Sequence, residues 1–238
     1  MIMPNIRASF GRTEAHHLVE LLGRRDAELR KAARDRLERG GIDALLDDPR
    51  VLTALLTERE VRSRPELVFY VLVRQAMLER GVDDVVAADY VASLLVRFGR
   101  SRRAYRISDA AEQEYGYLVD LMARLRTARG REAFLVRVHM GNFALWLSGV
   151  FPDFLEARRR RKGAPPISYY ERMGATGYRV ASESPEAAAL GVRDALDSVG
   201  RHFSGVRSAL NRVSDRYLWR GSADPVGRLL REVSYAME

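Results

Sequence analysis

From Val192 the apolar residues recur at Leu196, Val199, Phe203, Val206, Leu210, Val213 and Tyr217, in alternating steps of four and three. That alternation is the a/d seam of a heptad repeat, and it specifies a helix that must be covered along its length. Ser184-Pro185 opens the segment as a cap followed by a first-turn proline. A long heptad-patterned helix over 184–220 is therefore predicted. Gly191, Gly200 and Gly205 weaken it by about 1 kcal/mol each relative to alanine. The seam can pack inside its own bundle, or residues 186–219 can meet a second copy as a homodimer.

Helical punctuation governs the rest of the chain, and no alternating strand or Asn-Gly hairpin pattern occurs. After an arm of residues 1–12, expected to be flexible, a first long helix should start beyond Thr13 and stop at Gly40-Gly41. Asp48-Pro49 caps a short helix, and Ser63-Arg-Pro-Glu66 reads as a capping box for the next. Gly81 ends that helix, and Asp83 or Asp84 caps another running to about Phe98. Further helices are expected from Ser108-Asp109 to Ala128, from Phe134 to Leu147, and after Asp224-Pro225. The expected fold is all-α, a multi-helix bundle or orthogonal array of about nine helices in one domain spanning 1–238.

The chain has no cysteine, which removes disulfides, thiolate metal sites and a cysteine nucleophile, and suits a reducing compartment. The N-terminus lacks a basic region followed by an apolar one. The longest uncharged stretch, Val138 to Pro152, is shorter than the roughly 20 residues a membrane-spanning helix needs. A cytoplasmic location with no transmembrane segment is expected.

Charge is distributed unevenly. Residues 97–180 carry 17 basic and 8 acidic groups, whereas residues 1–96 carry 15 and 16, and residues 181–238 carry 8 and 8. All but two of the 40 basic residues are arginine, which codon usage can explain, but codon usage does not concentrate the surplus in the middle third. Within that third lie Arg100, Arg102, Arg103 and Arg106, then the unbroken run Arg158, Arg159, Arg160, Arg161 and Lys162. These nine are the candidate anion- or partner-binding residues.

Catalytic signatures do not assemble. Glu14-Ala-His-His17 has the Glu-x-x-His spacing of di-iron bundles, yet no second copy exists, so no metal or cofactor is expected. Arg12-Thr-Glu-Ala-His-His17 resembles the Arg-x4–6-His motif of helical HEPN nucleases over six residues only, with Thr13 where that family carries Asn, Asp or His. Ser148 lacks a nucleophile elbow, and no glycine-rich phosphate loop follows a strand. The basic Gly99-Arg-Ser-Arg-Arg stretch has no apolar pattern behind it to form a helix-turn-helix.

The block Phe134–Ala181 joins Gly141-Asn-Phe-Ala-Leu-Trp-Leu-Ser-Gly-Val-Phe-Pro152 to Tyr169-Tyr-Glu-Arg-Met-Gly174. This pattern of about 45 residues resembles that of an uncharacterised group of bacterial all-helical proteins, a likeness that implies no activity. Three functions are compatible with the sequence. The first is a non-enzymatic regulatory or scaffolding protein that engages an acidic partner through the basic region 97–180. The second is a nucleic-acid-binding protein using the same arginines, with Tyr105 stacking on an unpaired base. The third is an enzyme or small-ligand binder with a pocket lined by His139, Trp146, Tyr169, Tyr170, Glu171 and Arg172, residues that can equally fill a core.

Overall fold

A computed structural model describes residues 2–24, 26–57, 63–99, 106 and 117–218, and these fold into twelve α-helices. The all-α expectation holds, but the number of helices exceeds about nine because two predicted long helices are broken. The first divides into α1 (Arg12–Leu22) and α2 (Ala27–Leu46). Asp26 restarts the chain by accepting hydrogen bonds from the backbone N–H groups of Glu28 and Leu29 at 2.9 and 3.2 Å. Gly41, with φ of 65°, kinks α2 where a stop was expected.

Part of the N-terminal arm packs onto the core. Ile2, Ile6 and Phe10 are buried, and the Arg7 backbone N–H donates to Asp89 at 3.0 Å. Asp48 caps α3 (Pro49–Thr57) as predicted, accepting from the Arg50 N–H at 3.0 Å. The predicted capping box at Ser63 is not made. Pro65 occupies the first turn of α4 (Pro65–Leu78), Arg64 takes the cap position, and the Ser63 hydroxyl pairs with Nε2 of His17 at 2.9 Å. Asp84 caps α5 (Val85–Gly99) through the Ala87 N–H at 2.9 Å. Beyond it come α6 (Leu118–Thr127) and α7 (Gly130–Val150). The predicted helix starts at Ser108 and Asp224 lie outside the described residues, as do Arg100, Arg102, Arg103 and Tyr105.

The second predicted long helix is not continuous either. It becomes α10 (Pro185–Ala189), α11 (Arg193–Arg201) and α12 (Phe203–Val213), followed by a π-helical turn over Ser214–Leu218. Gly191 breaks it at φ 65°, and His202 breaks it again at φ −96°, ψ 14°. The seam is nonetheless buried from Val192 to Val213, with Tyr217 half-buried. Its neighbours are α4, α5, α7 and α9 of the same chain, so these apolar positions are already covered. The physical reason is that burial sets the period, while a core that curves past the segment requires its axis to turn.

At the centre lies α7, 21 residues long and buried over most of its circumference, with α9 (Ile167–Ser182), α12 and α6 against it. Glycines set the α7–α9 spacing. A Cβ on Gly177 would stand 2.9 Å from the Arg137 carbonyl oxygen, and one on Gly141 would stand 2.7 Å from the Tyr178 ring. Between α5, α7 and α9 the Asn142 Oδ1 accepts from Tyr90 Oη and Tyr178 Oη, each at 2.8 Å, and the two rings meet edge to face at 5.7 Å. At the far side of α4 the Arg74 guanidinium, 3% exposed, forks onto Asp47 at 2.8 Å and reaches Asp83 at 2.6 Å. These contacts bind the end of α2 and the α4–α5 turn to α4.

Candidate basic and aromatic surface

The chain turns by 92° between α7 and α8 (Pro152–Lys162) at Phe151. Pro152 supplies the first-turn residue of α8, and Gly163 closes it in the left-handed region at φ 62°. Leu155 is the only fully buried residue of α8; Pro152 and Glu156 to Arg158 are partly covered, and Arg159 to Lys162 are exposed. Its last turn holds Arg159, Arg160, Arg161 and Lys162. Cations there complement the negative end of the helix dipole, an effect confined to one turn. At 100° per residue, five consecutive cations encircle the helix end, which is more positive charge than one terminus needs.

Arg158 is held in place by aromatic rings. Its guanidinium lies 4.9 Å from the Tyr117 ring centroid and 5.5 Å from that of Phe154. Both rings are about half exposed, at 53% and 51%. Tyr117 sits at the N-cap of α6, whose Leu118 and Leu121 are buried and whose Val119 and Met122 face outward. Tyr169 donates its hydroxyl to the Met122 sulfur at 3.3 Å and packs edge-on against Tyr170. Burial raises the pKa of Tyr170, and the nearby positive charge of Arg158 opposes that rise. The result is an apolar and aromatic strip beside the basic helix end, exposed at Tyr117, Val119, Met122 and Phe154 and backed by half-buried Tyr169 and buried Tyr170 of α9.

Of the cations, Arg159 meets Glu156 at 3.7 Å, a contact near the limit for an ion pair. Arg160, Arg161 and Lys162 are exposed and form no ion pair among the described residues. Arg106 is exposed. Phe154 stands four residues before Arg158 on the same helix, a neighbour that local spacing places, whereas Tyr117 lies 41 residues before Arg158 and only the fold joins them.

The six residues considered for a pocket divide among three surroundings. His139 and Trp146 are core residues, both against the Phe98 ring, with His139 also stacked on Phe143. Burial drives the pKa of His139 down to about 3, so its imidazole is neutral, and its buried Nε2 has no hydrogen-bond partner among the described residues. Tyr169 and Tyr170 belong to the strip already described. Glu171 accepts from Arg207 Nε at 2.6 Å and from Ser204 Oγ at 3.1 Å, and Arg172 is exposed. Among the described residues, His139 and Trp146 are thus held by core packing, Glu171 by its ion pair with Arg207, and Arg172 lies exposed.

The remaining motifs are occupied structurally. The Glu14 carboxylate accepts from the Gly11 N–H at 2.9 Å and from an Arg64 guanidinium at 3.1 Å, and these hydrogen bonds hold its pKa below the ordinary value against the opposing effect of burial. The Ser148 hydroxyl, fully buried, donates to the Ala144 carbonyl at 2.6 Å. Among the described residues no group of three or more His, Asp or Glu side chains is arranged to hold a metal ion. No single described helix is long and apolar enough to cross a membrane. Comparison of the chain with family models, curated proteins and solved structures gives no match.

Proposed function

We propose that this protein is a non-enzymatic regulatory or scaffolding module that engages an acidic partner through the α8 surface. The observation that carries this reading is Arg158 lying against the half-exposed Tyr117 and Phe154 rings, with Arg160, Arg161 and Lys162 exposed beyond it and in no ion pair among the described residues. An arginine braced by aromatic faces has already lost much of its rotamer freedom, so a carboxylate or phosphate partner costs less to order. The outward Val119 and Met122 add apolar contact area beside the charge, a combination characteristic of partner surfaces.

A second reading, single-stranded nucleic acid, is favoured by one specific feature. Tyr117 and Phe154 each leave ring area exposed next to unpaired cations, and unpaired bases stack on such rings. Fluorescence anisotropy with a labelled polyglutamate peptide, a labelled single strand and a labelled duplex, from about 50 to 300 mM salt, separates the two. The comparison variant is Arg160→Glu/Arg161→Glu, which alters exposed residues only. Peptide binding that the variant loses supports the first reading. Binding of the single strand alone, weakened by Phe154→Ser, supports the second. No binding of any probe at the lowest salt refutes both.

A further inference from the structure

A different face of the molecule carries an open cleft. Between α1 and α2 lies an open cleft of about 410 Å³, within the range of ~300–1,000 Å³ usual for small-ligand sites. Helical spacing builds both walls: Arg12, Ala15, His16 and Val19 from α1 face Arg34, Leu37 and Ile42 from α2, with Phe10 at one end. The floor is apolar. Phe10, Ala15 and Val19 belong to the core and turn one side to the cleft, while Leu37 and Ile42 are only partly covered.

The rim is cationic. Arg12 and His16 are exposed, and the Arg12 side chain forms no ion pair among the described residues. Arg34 has 58% of its side chain exposed and touches a carboxylate only at 3.5 Å, on Glu20. Among the described residues no carboxylate lines the cleft. The positive end of the α1 dipole, at Gly11 and Arg12, lies at the same rim. A bare inorganic anion would leave the apolar floor unused, and a neutral hydrocarbon would leave the cations unused.

We infer that the α1–α2 cleft binds an amphiphilic organic anion, with an acyl or aryl body on the Phe10–Val19–Leu37–Ile42 floor and a carboxylate or phosphate head between Arg12 and Arg34. This site is independent of the α8 surface.

Isothermal titration with decanoate, decyl phosphate and decyltrimethylammonium tests it directly on the unaltered protein. The inference requires one-to-one binding of at least one anionic probe with a dissociation constant below about 100 μM. The cationic probe must bind at least about tenfold more weakly, because the rim repels it. Which anionic probe binds tighter distinguishes a carboxylate head from a phosphate head. Arg12→Glu/Arg34→Glu should abolish binding, Arg12→Lys/Arg34→Lys should restore most of it, and Arg160→Glu/Arg161→Glu should leave it unchanged. No binding at about 1 mM, equal binding of the cationic probe, or binding insensitive to Arg12→Glu/Arg34→Glu would overturn the assignment.

Discussion

Replacement of Asn142 by alanine tests whether the polar group at the centre of the core stabilises the fold through its hydrogen bonds or merely fills space. Asn142 Oδ1 is the acceptor for both Tyr90 Oη and Tyr178 Oη, and all three residues are buried. Asn142→Ala removes the acceptor and leaves two buried hydroxyls to find another. An orphaned buried hydroxyl costs about 1–3 kcal/mol, so the substitution should cost about 2–5 kcal/mol, the lower end applying if the two hydroxyls pair with each other. In a Tyr90→Phe/Tyr178→Phe background the situation reverses, because there the Asn142 carbonyl is itself the orphan. Asn142→Ala should then cost less than about 1 kcal/mol, the residue of a small cavity. The coupling between backgrounds is read from urea unfolding followed by far-UV circular dichroism, analysed as two-state transitions. Equal costs in both backgrounds would refute the hydrogen-bond account, since a packing effect alone does not depend on the hydroxyls.

Two further outcomes follow from the same core. Gly177→Ala would drive a Cβ to within 2.9 Å of the Arg137 carbonyl oxygen, a backbone atom that cannot turn aside, so α7 and α9 must separate. Overpacking costs of about 1–3 kcal/mol exceed or match the ~1 kcal/mol gain in helix propensity, and a net stabilisation in urea unfolding would contradict the close approach. For acid stability, burial pushes the Asp48 carboxyl up, but hydrogen bonds and charge from Arg50, with Arg36 adding charge, outweigh it and hold its pKa below the ordinary 3.8. The Arg7 hydrogen bond does the same for Asp43. A folded-state pKa below the unfolded value gives stability that is present above about pH 4 and lost as pH falls through the folded value. Asp89, raised by burial, opposes this on its own account. Asp48→Asn should therefore lower stability at neutral pH and flatten the acid limb of the unfolding profile. An acid limb unchanged by Asp48→Asn would show that Asp48 is not its source.

Certain features were legible in the residues alone because they are local. Caps at Asp48, Asp84 and Ser184 are formed as spacing indicates, each accepting a backbone N–H one turn ahead or nearer. The capping box at Ser63 is an equally local pattern, but a long-range contact overrides it: the Ser63 hydroxyl is engaged by His17, 46 residues earlier. The break at Gly23 passed unnoticed because the charged face of α1 and α2 continues across it, while a Cβ on Gly23 would fall 2.2 Å from that of Arg30. That collision exists only once the two helices fold back on each other.

The amino-acid order by itself determined the all-α class, the burial of the heptad positions from Val192 to Val213, and the concentration of positive charge that includes Arg158 to Lys162. Periodicity and punctuation act over one or two helical turns, and these properties need nothing longer. Only the tertiary structure decided that the seam bends at Gly191 and His202, that His139 and Trp146 pack into the core, and that Tyr117 joins Phe154 against Arg158. It likewise brought Arg12 and Arg34 to one rim of the α1–α2 cleft. Hydrophobic spacing fixes which side of each helix is covered, but the direction of each axis and the choice of neighbour come from how all the covered sides pack at once.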